Sequence, residues 1–295
     1  VDALGTDDNL RYAKEHIPDA ILDWADVIIC HHYEHSWLVP DWPRLRSKRV
    51  IWRTVGQSVE HNERMMAPLH KDGLEIVRYS PKERNIPGYA GEDALIRFYK
   101  DPDEYKGWDG LGFDFCDGAT IGRTLDFEPR PIVINITQHL AQREPYTNYG
   151  FWEQATQGLP RMAMGPGSEA IGGPGELSYE AMLGALRYAR AYLYTGTQPA
   201  SYTLGLIEAM MTGIPVVSIG PQWMRIFPYG PDLFEGHELA RPGMDDPAEA
   251  RRLLQRELEH PDLARAAGAK QRQLAIDLFG KDKIGAQWKA YLGAP

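Results

Sequence analysis

Cysteine is scarce in this chain: Cys30 and Cys116 are the only two in 295 residues. Their spacing fits neither a metal set nor a redox pair, so a reducing compartment and a cytoplasmic location are expected. No apolar run approaches the ~18 residues a membrane span requires, and Val1 to Asp8 has none of the character of a signal peptide. At most a peripheral membrane contact is expected. A broad cationic face is lacking too, because the formal charge is -9 and the basic residues are mostly scattered, which argues against a nucleic-acid surface. The exception is the run Arg44, Arg46, Lys48, Arg49 and Arg53. It reads either as a solvated loop leading into a strand or as a local seat for an anionic acceptor or a membrane headgroup.

Several catalytic signatures are missing. There is no Gly-x-Ser-x-Gly elbow, no phosphate-loop lysine motif and no His-Glu-x-x-His helix. Hydrolase, ATPase and zincin chemistry lose their main support, and no metal or tightly bound cofactor is implied.

What is present is ordinary globular composition, 43% hydrophobic and 25% charged, in a chain long enough for two domains. Short apolar runs alternate with helical patterns, the signature of an α/β fold with parallel sheets covered on both faces. The strand candidates are 27–30, 50–52, 74–78 and 95–98, then 132–136, 162–164, 191–194 and 215–219. Between the two sets, Asp101 to Arg130 carries no sustained period and reads as an interdomain connection. Helices are expected from Pro247 to Leu258, Asp262 to Leu278 and Lys283 to Leu292, with Asp245 and Asp246 supplying cap and first-turn charge. The expected division is 1–125, 126–280 and a closing helix in 281–295. The first domain is short, with about four strands and no glycine-rich turn after any of them, so it is either pared down or without its opening strands.

The most informative segment runs from Ala189 to Ile219. Ser201 and Thr203 are cap-type residues before an apolar-periodic run, Gly213 stands where a helix stops, and Pro215 cannot continue it. A helix near 203–212 follows. Its N-terminus, after the carboxyl end of a strand, offers unpaired N–H groups and positive dipole suited to a diphosphate. Glu208 shares a helix face with Leu204 and Met211, so an ionised carboxylate sits in a stripe otherwise meant for burial and needs a partner. A ribose diol supplies one; an arginine or backbone N–H of its own domain supplies another.

The string Pro199-Ala-Ser-Tyr-Thr-Leu-Gly-Leu-Ile-Glu-Ala-Met-Met-Thr-Gly-Ile-Pro-Val-Val-Ser218 resembles the C-terminal motif of retaining GT-B glycosyltransferases, particularly glycosyltransferase family 4. The resemblance implies a GT-B fold, two Rossmann-like domains with parallel sheets facing a cleft. It implies transfer of a sugar from a nucleoside diphosphate, UDP- or GDP-linked, to a saccharide, lipid-linked or small-molecule acceptor, with retention. On that basis Glu208 holds the ribose, and Thr203 with Tyr202, Ser201, Leu204, Thr195 and Gly165 lines the donor site. Arg143 and His139 lie near the departing phosphate, and the last helix crosses back to the first domain. Two departures weaken the match: the family's paired glutamate falls on Ala200, and no lysine occurs between Lys106 and Lys270 to join Arg143 at the diphosphate.

His31, His32 and His35 follow the first strand at the edge where open sheets bind ligands. They fit a role facing the transferred sugar or acceptor, ordinary loop packing, or a metal site whose further ligands the sequence does not supply. Ser80 and Arg78 end a later strand in the same way. The loop Gly165-Pro-Gly-Ser168 suits either a nucleotide base or an unliganded turn. Two other functions compete with transfer: a noncatalytic nucleotide-sugar or glycan-binding relic, and an epimerase or hydrolase of GT-B fold acting on the sugar nucleotide itself.

Overall fold

The computed structural model describes residues 17, 19–31, 35–56, 58–105, 107–112, 114–115, 121–122, 130–223 and 243–293. The chain divides after Arg97 into two compact units, whereas composition had placed the boundary after residue 125. The segment following Arg97 is fastened to the second unit. Lys100 N–H donates to Phe279 O at 3.0 Å and Gly112 N–H to Tyr188 O at 2.7 Å, and the Trp108 indole donates to Ala189 O at 2.8 Å. Tryptophan and tyrosine bury large areas wherever a partner surface exists, so an aperiodic stretch became part of a domain.

The first unit holds four parallel strands in consecutive order: β1 (Val27–His31), β2 (Arg49–Arg53), β3 (Glu75–Arg78) and β4 (Ala94–Leu95). The last is shorter than the 95–98 run suggested, because only Ala94 and Leu95 pair with β3. α1 (Asp19–Trp24) precedes β1, and the crossovers from β1 to β2 and from β2 to β3 are α2 (His35–Leu45) and α3 (Glu60–Lys71). Leu38 and Leu45 of α2 and Met66 and Leu69 of α3 pack with Val50, Trp52 and Ile76 of the sheet. Each such side chain contributes roughly 1.5–3 kcal/mol on burial.

The second unit holds β7 (Val133–Ile136), β8 (Arg161–Met164), β9 (Ala191–Tyr194) and β10 (Val216–Ser218), all parallel, in the order β10-β9-β7-β8. Two short strands before them, β5 (Asp114–Phe115) and β6 (Ile121–Gly122), pair antiparallel. The helices are α4 (Tyr149–Thr156), α5 (Tyr179–Tyr188), α6 (Leu204–Thr212), α7 (Pro247–Glu259), α8 (Pro261–Phe279) and α9 (Lys281–Leu292). Their ends are set by chemistry visible in the sequence: Ser178 caps α5, Thr203 caps α6 and Asp246 caps α7, each side chain accepting a first-turn N–H. Gly213 closes α6 at φ +93°, a conformation other residues adopt only at a cost. Phe151 and Trp152 of α4 and Ala250 and Leu254 of α7 cover Val133, Ala191, Leu193 and Val217 of the sheet.

Candidate functional site

The two sheets differ in strand order. In the first unit the described strands follow one another without reversal. In the second, β7 leads to β8 on one side while β9 leads to β10 on the other. The reversal opens a crevice at the carboxyl ends of β7 and β9, the usual ligand position of an open α/β sheet.

Three loops and one helix start meet there. Tyr192 of β9, 1% exposed, donates its hydroxyl to Ile136 O at 3.3 Å and so ties β9 to the end of β7; burial raises its pKa above the ordinary tyrosine value. The first turn of α6 lies against this point: a Cβ built on Gly205 falls 3.6 Å from the Tyr192 hydroxyl and 3.8 Å from Ile136 O. The loops after β7 and β9 are stitched by Asn148 Nδ2 donating to Thr195 O at 2.8 Å and by Gln198 N–H donating to Tyr146 O at 2.7 Å. The loop after β8 joins them through His139 N–H to Pro166 O at 2.6 Å and Gln142 Nε2 to Gly167 O at 2.8 Å. Gly165 makes that approach feasible, with φ +107° and Thr137 O only 3.2 Å from where a Cβ would stand.

Of the residues the sequence singled out, Gly165, Thr195, His139, Arg143, Ser201, Thr203 and Leu204 all lie on these loops or on the helix start. Thr203 Oγ1 accepts Leu206 N–H at 3.4 Å, leaving other first-turn N–H groups for a ligand. Leu204 is 46% exposed, so the stripe assumed for Glu208 is open at its N-terminal end. His139 is exposed and adopts φ +52°, uncommon for a residue with a Cβ. The Arg143 guanidinium makes no hydrogen bond or ion pair among the described residues. Thr195 is wholly buried and receives Asn135 Nδ2 on its hydroxyl at 3.3 Å, so its side chain braces the crevice.

Tyr202 departs from expectation. It is 1% exposed, edge-on to Phe98 at 5.9 Å and Phe279 at 5.4 Å, and serves packing where a donor contact was expected. In the first unit, His31 ends β1 as an exposed residue. His32 lies outside the described residues, as does the side chain of His35. Among the described residues no group of His, Cys, Asp and Glu is arranged to hold a metal.

Arg78 and Ser80 are structural. The Arg78 guanidinium, fully buried, is bidentate to Glu63 at 2.7 Å and 2.7 Å and donates to Gly91 O. Ser80 caps the 3-10 turn Pro81–Asn85. The basic run is also largely spent: Arg44 pairs with Asp41 and Asp19, Arg49 with Glu75 at 2.8 Å, and Arg53 is 5% exposed. An anion seat there loses its support.

Sequence reasoning missed four contributors. Asn135 breaks the apolar run of β7; it is fully buried, donates to Leu193 O at 2.8 Å, and its Oδ1 takes no hydrogen bond. A polar residue in a strand core is a signal that was available. Asn148 and Gln198 sit in loops with no pattern to mark them. The fourth is Lys100, whose Nζ lies 2.5 Å from Glu208 Oε1, with Tyr105 donating to the same oxygen at 3.4 Å. Glu208 therefore has a partner from its own unit, a lysine 108 positions away and not the arginine or backbone N–H considered above.

No protein-family model and no curated protein matches the chain in sequence. Its structure matches GT-B glycosyltransferases. Anabaena HepE in complex with UDP-glucose superposes with a TM-score of 0.65 at 12% identity, covering 93% of this chain and 81% of that one. Sucrose-phosphate synthase from Thermosynechococcus elongatus gives 0.62 at 15% identity over 91% and 73%. The catalytic domain of starch synthase IV from Arabidopsis thaliana, bound to ADP and acarbose, gives 0.59 at 12% over 98% and 78%. The fold is thus GT-B, as the motif implied.

Proposed function

We propose that this chain is a glycosyltransferase that binds a nucleoside diphosphate sugar in the β7–β9 crevice and passes the sugar to an acceptor. The observation that carries this is the strand reversal of the second sheet with the N-terminal turn of α6 packed on it. Glu208 at the second turn takes a ribose hydroxyl, the free N–H groups of the first turn take phosphate oxygens, and Arg143 adds the cation that a leaving diphosphate requires. His139 stands in the same loop. The GT-B neighbours solved with UDP-glucose or with ADP and acarbose are consistent with such a donor. Retention follows the motif's family resemblance. Acceptor recognition falls to the first unit, with His31 as the described candidate, and the two widely spaced cysteines favour the cytoplasm.

Ala200 removes the sugar-facing carboxylate of the motif, so turnover is expected to rely on the phosphate end of the donor. The test is a thermal-shift panel of UDP, GDP, ADP and their glucose conjugates, followed by assay of nucleoside diphosphate release with saccharide acceptors. A shift that disappears in Glu208→Ala, with release dependent on acceptor, supports transfer. Stabilisation without release identifies a binding relic, release without acceptor identifies a hydrolase or epimerase, and no shift with any member rejects the donor site.

A further inference from the structure

Glu208 has two carboxylate oxygens, and the second unit already engages one of them. Lys100 Nζ lies 2.5 Å from Oε1, and Tyr105 donates to the same atom at 3.4 Å. Oε2 takes no hydrogen bond among the described residues. The two partners are themselves fixed. Lys100 donates to the Tyr105 hydroxyl at 3.2 Å and stands 5.4 Å from that ring's centroid, while its backbone bridges to Gly280. Tyr105 is 1% exposed and receives the Tyr179 hydroxyl at 3.0 Å. Burial, with the Glu208 charge beside it, pushes the Tyr105 phenol up to about 12, so it remains a donor at neutral pH.

The Lys100 and Glu208 side chains are 19% and 12% exposed. Taking a carboxylate that far out of water is costly unless a cation or hydrogen bonds offset it. The Lys100 ammonium does so here and pins one of the two oxygens.

We propose that Lys100 is a positioning residue for the nucleotide: by holding Glu208 through Oε1 it turns Oε2 to the ribose, whose hydroxyl protons that oxygen accepts. This rests on the proposed donor site.

The test titrates the full chain with whichever of UDP, GDP and ADP gives the largest thermal shift, and with that nucleotide's 2′-deoxy and 3′-deoxy forms. In the wild type at least one deoxy form binds weaker by on the order of tenfold, the increment of one charged hydrogen bond. Lys100→Met weakens the parent about tenfold but leaves the sensitive deoxy form unchanged, and Lys100→Arg restores most of the loss. A purely structural lysine gives equal losses for all three nucleotides, and that result overturns the proposal, as does the absence of any deoxy penalty in the wild type. Circular dichroism checks folding; if Lys100→Met does not fold, Lys100→Gln and the wild-type deoxy comparison decide. Failure of the underlying donor site looks different: either no diphosphate binds the wild type, or Glu208→Gln binds as well as the wild type does.

Discussion

Glu83 is a carboxyl almost without water around it, 1% exposed. Its Oε2 accepts from Thr54 Oγ1 at 2.9 Å and from Tyr79 N–H at 3.1 Å, while Oε1 has no hydrogen-bond partner and lies 3.9 Å from Arg78. Burial outweighs these favourable contacts and pushes the group up to about 7. Between the ordinary carboxylate range and that value the folded chain keeps a proton the unfolded chain has lost. The contribution of Glu83 to stability therefore falls as pH rises from about 4.5 to about 7, by a total on the order of 3 kcal/mol. Urea midpoints across this range should show the slope in the wild type and lose it in Glu83→Gln; an unchanged slope in the variant assigns the effect elsewhere. The neighbouring Arg78 has the opposite role. Arg78→Met strands the buried Glu63 carboxylate and should cost about 3–5 kcal/mol, read as loss of the first unit's unfolding transition at a correspondingly lower denaturant concentration.

Elements were the most legible level, because their ends are chosen by a few adjacent residues. The α6 boundaries followed from Thr203, Gly213 and Pro215 without any tertiary information, and the three closing helices fell within a residue or two of their expected ends. Which face such a helix buries was less legible. Leu204 is exposed because it lies at the open N-terminal turn, and Tyr202 is buried because Phe98 and Phe279, distant in sequence, close over it. Two substitutions test the element account. Thr203→Ala removes the cap of α6 and should cost about 1 kcal/mol, and Gly213→Ala forces a side chain into a left-handed conformation at about 1–2 kcal/mol. The cap substitution should also weaken nucleotide binding, since it loosens the turn proposed to face the phosphates, while the glycine substitution at the far end should leave affinity within about twofold. Calorimetric unfolding and titration with a nucleoside diphosphate separate the two effects.

At the scale of the molecule, fold class and strand positions were readable from alternating apolar and helical patterns, but strand order was not. The reversal between β7 and β9 depends on which strands find each other in space, and no residue announces it. The unit boundary was misplaced for a related reason: residues 98–112 lack periodicity, yet Lys100, Tyr105 and Trp108 bind them to the second unit. Glu208 was found from its local pattern, and its lysine partner was not, since a pair 108 residues apart leaves no trace in spacing. A ligand at about 100 times its Kd adds about 2.7 kcal/mol to the state that binds it, so amides that open with the second unit should gain protection on that scale. The direct measurement is amide hydrogen exchange on the full chain with and without a saturating nucleoside diphosphate. Slowed exchange is expected across 137–148, 165–175 and 195–208, the three loops and helix start of one crevice. Protection confined to the first unit, or none in those three segments, contradicts the proposed donor site.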